Sequence, residues 1–238
     1  AYHQPHKKAS GSSPEKAFAS AMRFAQNEYI MALGKGVNLT MTEKKSIAFR
    51  LAQLTGLPQS LILEKDLRIT PLDFEKNLLA AEGKRVGQLN GQITGPLNNP
   101  GVKPPFDDPS MSFKPSNRSA VTAYFKNNLQ FADTGMYKTL NLAVNSRWNW
   151  NSLAEEVGYL TWAPGITKAL KEQPKLKLLV AGGYYDLATP LYAGRYVLEH
   201  VGVTADRVTY TGFPTGHSIF EKEKKLKNYI TIRIACFY

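Results

Sequence analysis

The sequence predicts an α/β protein in which parallel strands with flanking helices follow a mainly helical region. Three observations carry this. Leu176 to Ala181 (LKLLVA) is a short apolar run ended by Gly182-Gly183, and Arg207 to Phe213 (RVTYTGF) is a second strand-like run. Between them a helical pattern starts at Thr189-Pro190, carries Leu191, Val197 and Leu198, and closes near His200-Val201-Gly202. Strand, helix, strand at this spacing is one crossover of a parallel sheet, right-handed by rule.

The helical region covers 1–150, which is rich in Asn, Lys and Pro. Its first helix is capped by Ser13, with Pro14 at the first helical position. Phe18, Ala21, Met22, Ala25 and Tyr29 then form one apolar stripe, and Gly34 and Gly36 end it. A second helix after Thr42 places Ile47, Leu51 and Leu54 on one face, and Gly56 stops it. Residues 59–66 suit a short third helix. A fourth starts at Thr70-Pro71, with Asp73 completing a variant capping box, and runs to about Glu82. Residues 85–93 look extended. A loop over about 95–115 holds Pro96, Pro100, Pro104, Pro105, Pro109 and Pro115, and a helix over about 117–130 comes after Ser116.

From 151 to 238 the rhythm changes to alternating helix and strand. Ala163-Pro164 opens a helix to about Glu172, broken by Pro174 before the first strand. After the second strand Pro214, Thr215, Gly216 and His217 form a turn, and a charged helix over Glu221 to Lys227 is expected. No internal repeat appears.

The 238 residues carry a formal net charge of +11, which can mark a nucleic-acid partner. The charges do not cluster, and the densest run, Glu221 to Lys227, alternates in sign as a solvated helix face does. No nucleic-acid partner is therefore expected. No run of roughly 18 apolar residues exists to cross a membrane. The single cysteine, Cys236, excludes an internal disulfide and reads as a small core residue. His3 and His6 lack an acidic or cysteine partner nearby, so no metal and no cofactor is expected. The chain starts at Ala1 rather than Met, and its true start is expected to lie upstream.

Two residues carry the candidate chemistry. In open α/β sheets reactive groups collect at the carboxyl ends of strands. Asp186 comes after the first strand in GGYYDLATP, and His217 after the second in GFPTGHSIF. Adjacent parallel strands bring the two together. Imidazole shuttles protons near neutral pH, and a carboxylate on one ring nitrogen fixes its tautomer. Gly182, Gly183 and Gly216 are read as permitting sharp turns beyond the strand ends. A plainer alternative stands beside this: Asp186 caps the turn or the helix near Pro190, and His217 is a loop residue.

At these residues the sequence resembles the serine carboxypeptidase family, its bacterial branch more than its disulfide-rich eukaryotic one. The likeness is strongest in LLVAGGYYDLATP (178–190), FPTGH (213–217) and GYLTWAP (158–164), and weaker in AYHQ, LTGL (54–57) and EGKRVGQLNGQITG (82–95). The resemblance implies an α/β-hydrolase fold, of which this chain is the C-terminal part. Residues 1–150 would be the helical cap or lid, and 151–238 the last part of the hydrolase core. Asp186 would be the acid and His217 the base of a catalytic triad that releases single residues from peptide C-termini. The order in such hydrolases is Ser, acid, His, with the Ser in a Gly-x-Ser-x-Gly elbow. No such motif precedes Asp186. Gly216-His217-Ser218-Ile219-Phe220 lacks the final Gly, and no His comes after it, so the nucleophile is expected upstream of Ala1. A peptide substrate and a periplasmic or secreted location are implied likewise.

This sequence departs from the family at Ser218, where Met usually succeeds the histidine. The final ITIRIACFY is richer in β-branched residues than the expected terminal helix. Asn38-Leu39-Thr40 and Asn117-Arg118-Ser119 match the glycosylation acceptor pattern. Trp148 and Trp150 suit packing between cap and core. Two other functions compete: a non-catalytic binding module on the same fold, and an unrelated hydrolase with its nucleophile supplied otherwise. LKLLVA is apolar on both faces, as a strand covered by helices on both sides is. Without the upstream half its edge would be unpaired, so pairing with a complementary N-terminal half or with itself is expected.

Overall fold

The computed structural model describes residues 2–3, 13–102, 107–111, 115–131, 138, 141–149 and 162–219. The expected charged helix over 221–227, Cys236, His6, Trp150 and most of GYLTWAP lie outside them. Residues 1–111 with 169–238 form one compact unit, and 112–168 form another. The whole is mixed helix and strand, broadly α/β, with two sheets of two strands each among the described residues.

The first unit begins with α1 (Pro14–Phe24). Ser13 Oγ accepts the Lys16 N–H at 3.3 Å, and Pro14 stands at the first position, as expected. The helix passes through a π-helical turn (Ala25–Tyr29) into α2 (Ile30–Lys35), which ends at Gly36 with φ +52°. A π turn winds more residues per turn and so rotates the apolar stripe. Phe24, outside the predicted stripe, is the buried residue of α1, and its ring stacks on Tyr29.

α3 (Met41–Thr55) starts earlier than expected. Its cap is Thr40, not Thr42, because Glu43 lies three residues on and closes a capping box with it. Gly56 ends it at φ +85°. Next come α4 (Gln59–Glu64) and α5 (Pro71–Asn77), the latter with the Thr70–Asp73 box in place. α5 does not reach Glu82. Its continuation tightens into a 3₁₀ turn (Ala80–Glu82) before Gly83 at φ +68°. Ala48, Leu57, Ile62, Leu67, Leu78, Leu79 and Val86 make the core beneath these helices. Leu67 has φ +66°, a strained value for a branched side chain. Its burial and the 2.6 Å bond from Tyr29 Oη to its carbonyl hold it there.

The stretch read as extended over 85–93 is one arm of a hairpin and its turn. β1 (Lys84–Val86) runs antiparallel to β2 (Thr94–Pro96), with Arg85 opposite Gly95. Gly87, Asn90 and Gly91 turn the chain instead of extending it, with Gly87 N–H bonded to the Ile93 carbonyl at 2.9 Å.

The second unit holds α6 (Pro115–Asn127) and α7 (Leu142–Arg147), and α8 (Ala163–Glu172) begins in it. α6 starts at Pro115, two residues before the expected start, since proline suits the first turn. Trp148 is more than half exposed.

Back in the first unit, β3 (Leu178–Gly183), α9 (Leu191–Glu199) and β4 (Val208–Phe213) form the predicted strand-helix-strand. β3 and β4 are parallel neighbours, with Leu178 opposite Val208 and Gly183 opposite Phe213. β3 starts two residues later than expected. Leu176 N–H instead closes a turn onto the Gln173 carbonyl at 2.9 Å, and Arg207 Nε takes the Leu176 carbonyl at 2.7 Å. Gly182 and Gly183 are the last two rungs of the strand rather than its stop. Leu191, buried on α9, packs on Gly182. Leu179, on the alternate face, stays 42% exposed, so β3 is not covered on both faces among the described residues.

Candidate active site

The ladder between β3 and β4 continues past the strand ends. Tyr184 N–H donates to the Phe213 carbonyl at 2.9 Å, and Tyr185 N–H to the Thr215 carbonyl at 3.1 Å. The residues after each strand therefore stay side by side, which places Asp186 next to His217. His217 Nδ1 lies 2.9 Å from Asp186 Oδ2.

The glycines serve close approach rather than unusual dihedrals, which corrects the turn role assigned to them. None of Gly182, Gly183 and Gly216 has a positive φ. A Cβ on Gly183 would run into the carbonyl oxygens of Thr215 and Gly216. One on Gly216 would come within 2.5 Å of the Leu89 carbonyl oxygen and of Asn90 Cβ.

Asp186 caps its turn and also faces the imidazole, so the plainer alternative and the pairing are compatible. Its Oδ1 accepts the backbone N–H groups of Ala188 (2.9 Å) and Thr189 (3.0 Å). Its Oδ2 accepts the Thr189 hydroxyl at 2.6 Å and faces His217 Nδ1. Thr189 Oγ1 is itself 3.2 Å from Nδ1. Burial pushes the Asp186 carboxyl up, but hydrogen bonds from the Thr189 hydroxyl and N–H, and from His217, outweigh it and hold the group below its usual range. Asp186 is therefore an anion at neutral pH.

The Asp186 side chain is 4% exposed and that of His217 52%. A buried carboxylate against Nδ1 selects the tautomer with hydrogen on Nδ1. Nε2 then carries a lone pair on a ring open to solvent. Such a nitrogen can take a proton from a hydroxyl and return it, while the carboxylate stabilises the cation between the two steps.

Sequence reasoning named Asp186 and His217 but missed their supports. Thr189 is read only as the start of a helix, although an Asp with a Thr three residues later, just before Pro, is a turn signature. The 87–91 turn carries the Asn90-Gly91 turn signal, but nothing local points to its partners. Leu89 accepts the His217 N–H at 2.6 Å, Gln88 accepts the Leu187 N–H at 3.0 Å, and Gly91 donates to the Tyr185 carbonyl at 2.8 Å. The two tyrosines before Asp186 divide their tasks. Tyr184 lies over Gly212 and against Phe18, and Tyr185 meets Tyr2 edge-on at 5.3 Å. His3 Nε2 is 2.6 Å from the Gly91 carbonyl oxygen, so its contact is to backbone.

Among the described residues no group of three or more His, Cys, Asp or Glu is placed to hold a metal ion, and no helix is long and apolar enough to cross a membrane. No family model matches the chain, and no curated protein or solved structure matches it either.

Proposed function

We propose that this chain supplies the acid and base of a serine carboxypeptidase-like peptidase of the α/β-hydrolase type. Asp186 orients and stabilises the His217 imidazole, and Nε2 acts as general base toward a serine hydroxyl and then as general acid toward the leaving amine. One observation carries this reading: a buried carboxylate 2.9 Å from Nδ1 of a half-exposed imidazole, both just past the carboxyl ends of adjacent parallel strands. The resemblance in LLVAGGYYDLATP and FPTGH supplies the substrate class, the free C-terminus of a peptide. On this reading the nucleophile belongs to a segment outside residues 1–238, since no Gly-x-Ser-x-Gly occurs within them.

The test uses the coding sequence extended upstream to include a Gly-x-Ser-x-Gly segment. The extended protein should react with a fluorophosphonate probe and release single residues from N-blocked peptides with a free carboxyl end, but not from their amides. His217→Ala should lower turnover about a million-fold, the scale of losing a triad member. Absence of probe labelling in a folded extended protein would overturn the proposal and favour the binding module. Residues 1–238 alone should stay unlabelled.

A further inference from the structure

The imidazole of His217 is half exposed, so side-chain packing does not fix its direction. Besides the Asp186 contact at Nδ1, the backbone that carries the ring sets its position, and that backbone is bonded to Leu89. The 87–91 turn is in turn gripped from the loop around Asp108. Asp108, 8% exposed, accepts the Gln88 N–H on both oxygens at 3.2 and 3.1 Å. Its Oδ1 also accepts the N–H and the hydroxyl of Ser110 at 2.8 and 2.7 Å. The Ser110 hydroxyl then accepts the Leu89 N–H at 3.0 Å. Both residues thus held accept, at their own carbonyls, from the acid- and base-bearing turns: Gln88 from Leu187, next to Asp186, and Leu89 from His217 itself. Gly87 lies so close to Ser110 that a Cβ there would sit 2.5 Å from the serine Cβ.

We propose that Asp108 is a positioning residue for the Asp186–His217 pair, acting through Ser110 and the 87–91 turn. It touches neither member of the pair. Its carboxylate clamps a two-residue stretch whose carbonyls set where the acid-bearing and base-bearing turns stand relative to each other. The hydrogen bonds are charge-assisted at the Asp108 end, which suits a clamp that must hold a loop against water. The inference rests on the reading of Asp186 and His217 as an acid–base pair.

The test reads the tautomer of His217 by two-bond ¹H–¹⁵N correlation in residues 1–238, at a pH where imidazoles are neutral. The sequence has 4 histidines, so the signals are assignable by substitution. Unaltered protein should show hydrogen on Nδ1 of His217. Asp108→Ala should move the signal toward the Nε2–H tautomer that free imidazole favours, and Asp108→Asn, which keeps one acceptor oxygen, should move it less. Ser110→Ala removes the bond to Leu89 and the hydroxyl's bond to Asp108, keeps the Asp108–Gln88 bonds, and serves if Asp108→Ala does not fold. Ile62→Val, in the core and without a hydrogen bond to the turn, should lower stability and leave the tautomer unchanged. An unaltered His217 tautomer in both Asp108→Ala and Ser110→Ala would overturn the positioning role. Hydrogen already on Nε2 in the unaltered protein would overturn the acid–base pair itself.

Discussion

The Thr189 hydroxyl donates to Asp186 Oδ2 at 2.6 Å, on the same oxygen that faces His217 Nδ1. One carboxylate oxygen therefore has two donors, one local in sequence and one brought by the fold. Thr189→Val removes the local donor and leaves the buried anion one partner short. The stability loss should be about 1 kcal/mol, at the low end for a charged partner because Thr189 is itself exposed. Thr189→Ser should restore it. Chemical denaturation of the three proteins checks this, and equal losses for Val and Ser would refute the hydroxyl's role.

Asp186 should also give stability a pH dependence. Its folded carboxyl lies below the ordinary 3.8, so the unfolded chain binds the proton more tightly. The stabilising contribution is then complete above roughly pH 4 and drains as pH falls through the lowered folded value. Thermal melts should show a midpoint that falls on acidification below about pH 4. Asp186→Asn should flatten that part of the curve. An identical acid slope in the two proteins would mean the carboxylate is not held as an anion by these bonds.

Elsewhere two buried charges are paired. Arg85 Nη2 meets Glu75 at 3.1 Å and Nη1 meets Asp107 at 3.0 Å, with Arg85 and Glu75 both almost fully buried. Glu75 Oε1 and Arg85 Nε have no partner among the described residues. Burial pushes the Glu75 carboxyl above its usual range, against the pull of Arg85. Arg85→Met strands that carboxylate and should cost about 3–5 kcal/mol. Adding Glu75→Gln should recover part of the loss, and a double variant no more stable than Arg85→Met would show that the cost is packing rather than charge.

Much of the fold is legible in the sequence because it is local. Ser13-Pro14, Thr70-Pro71 with Asp73, and Gly56 each fix a helix end through neighbours a few residues away. The Asp186–His217 pair is legible for a different reason: each residue lies just past a strand, and adjacent parallel strands keep their outgoing ends side by side. The partners of the 87–91 turn are not legible, since Leu187, His217 and Ser110 are all distant in sequence. The start of β3 falls two residues later than the apolar run, because apolarity alone does not show that Leu176 closes a turn onto Gln173. The role of Gly183 and Gly216 is also hidden, because close approach of two turns leaves no local trace.

Glycine substitutions separate those two kinds of information. Gly183→Ala forces the 215–216 carbonyls to move and should cost about 1–3 kcal/mol, with a weakened Asp186–His217 contact. Gly194, inside α9, has open space around it. Gly194→Ala should instead stabilise by about 0.5–1 kcal/mol. Thermal midpoints of the pair read the contrast directly, and a neutral Gly183→Ala would show that the two turns have room to part.

The last expectation concerns β3. Among the described residues it pairs on one edge only, with β4, and Leu179 is left open on the face away from α9. An edge strand with unpaired N–H and C=O groups and an apolar face is a template for another strand. Residues 1–238 should therefore associate in a concentration-dependent way in analytical ultracentrifugation. Leu179→Lys places a charge on the open face, leaves the ladder to β4 intact and should shift the distribution toward monomer. Hydrogen exchange tells the remaining cases apart. The amides of β3 that point away from β4 should exchange slowly in the associated protein and quickly in the variant. A monodisperse monomer with those same amides protected would mean that the edge already has a partner within the chain, and the association would then have no physical basis.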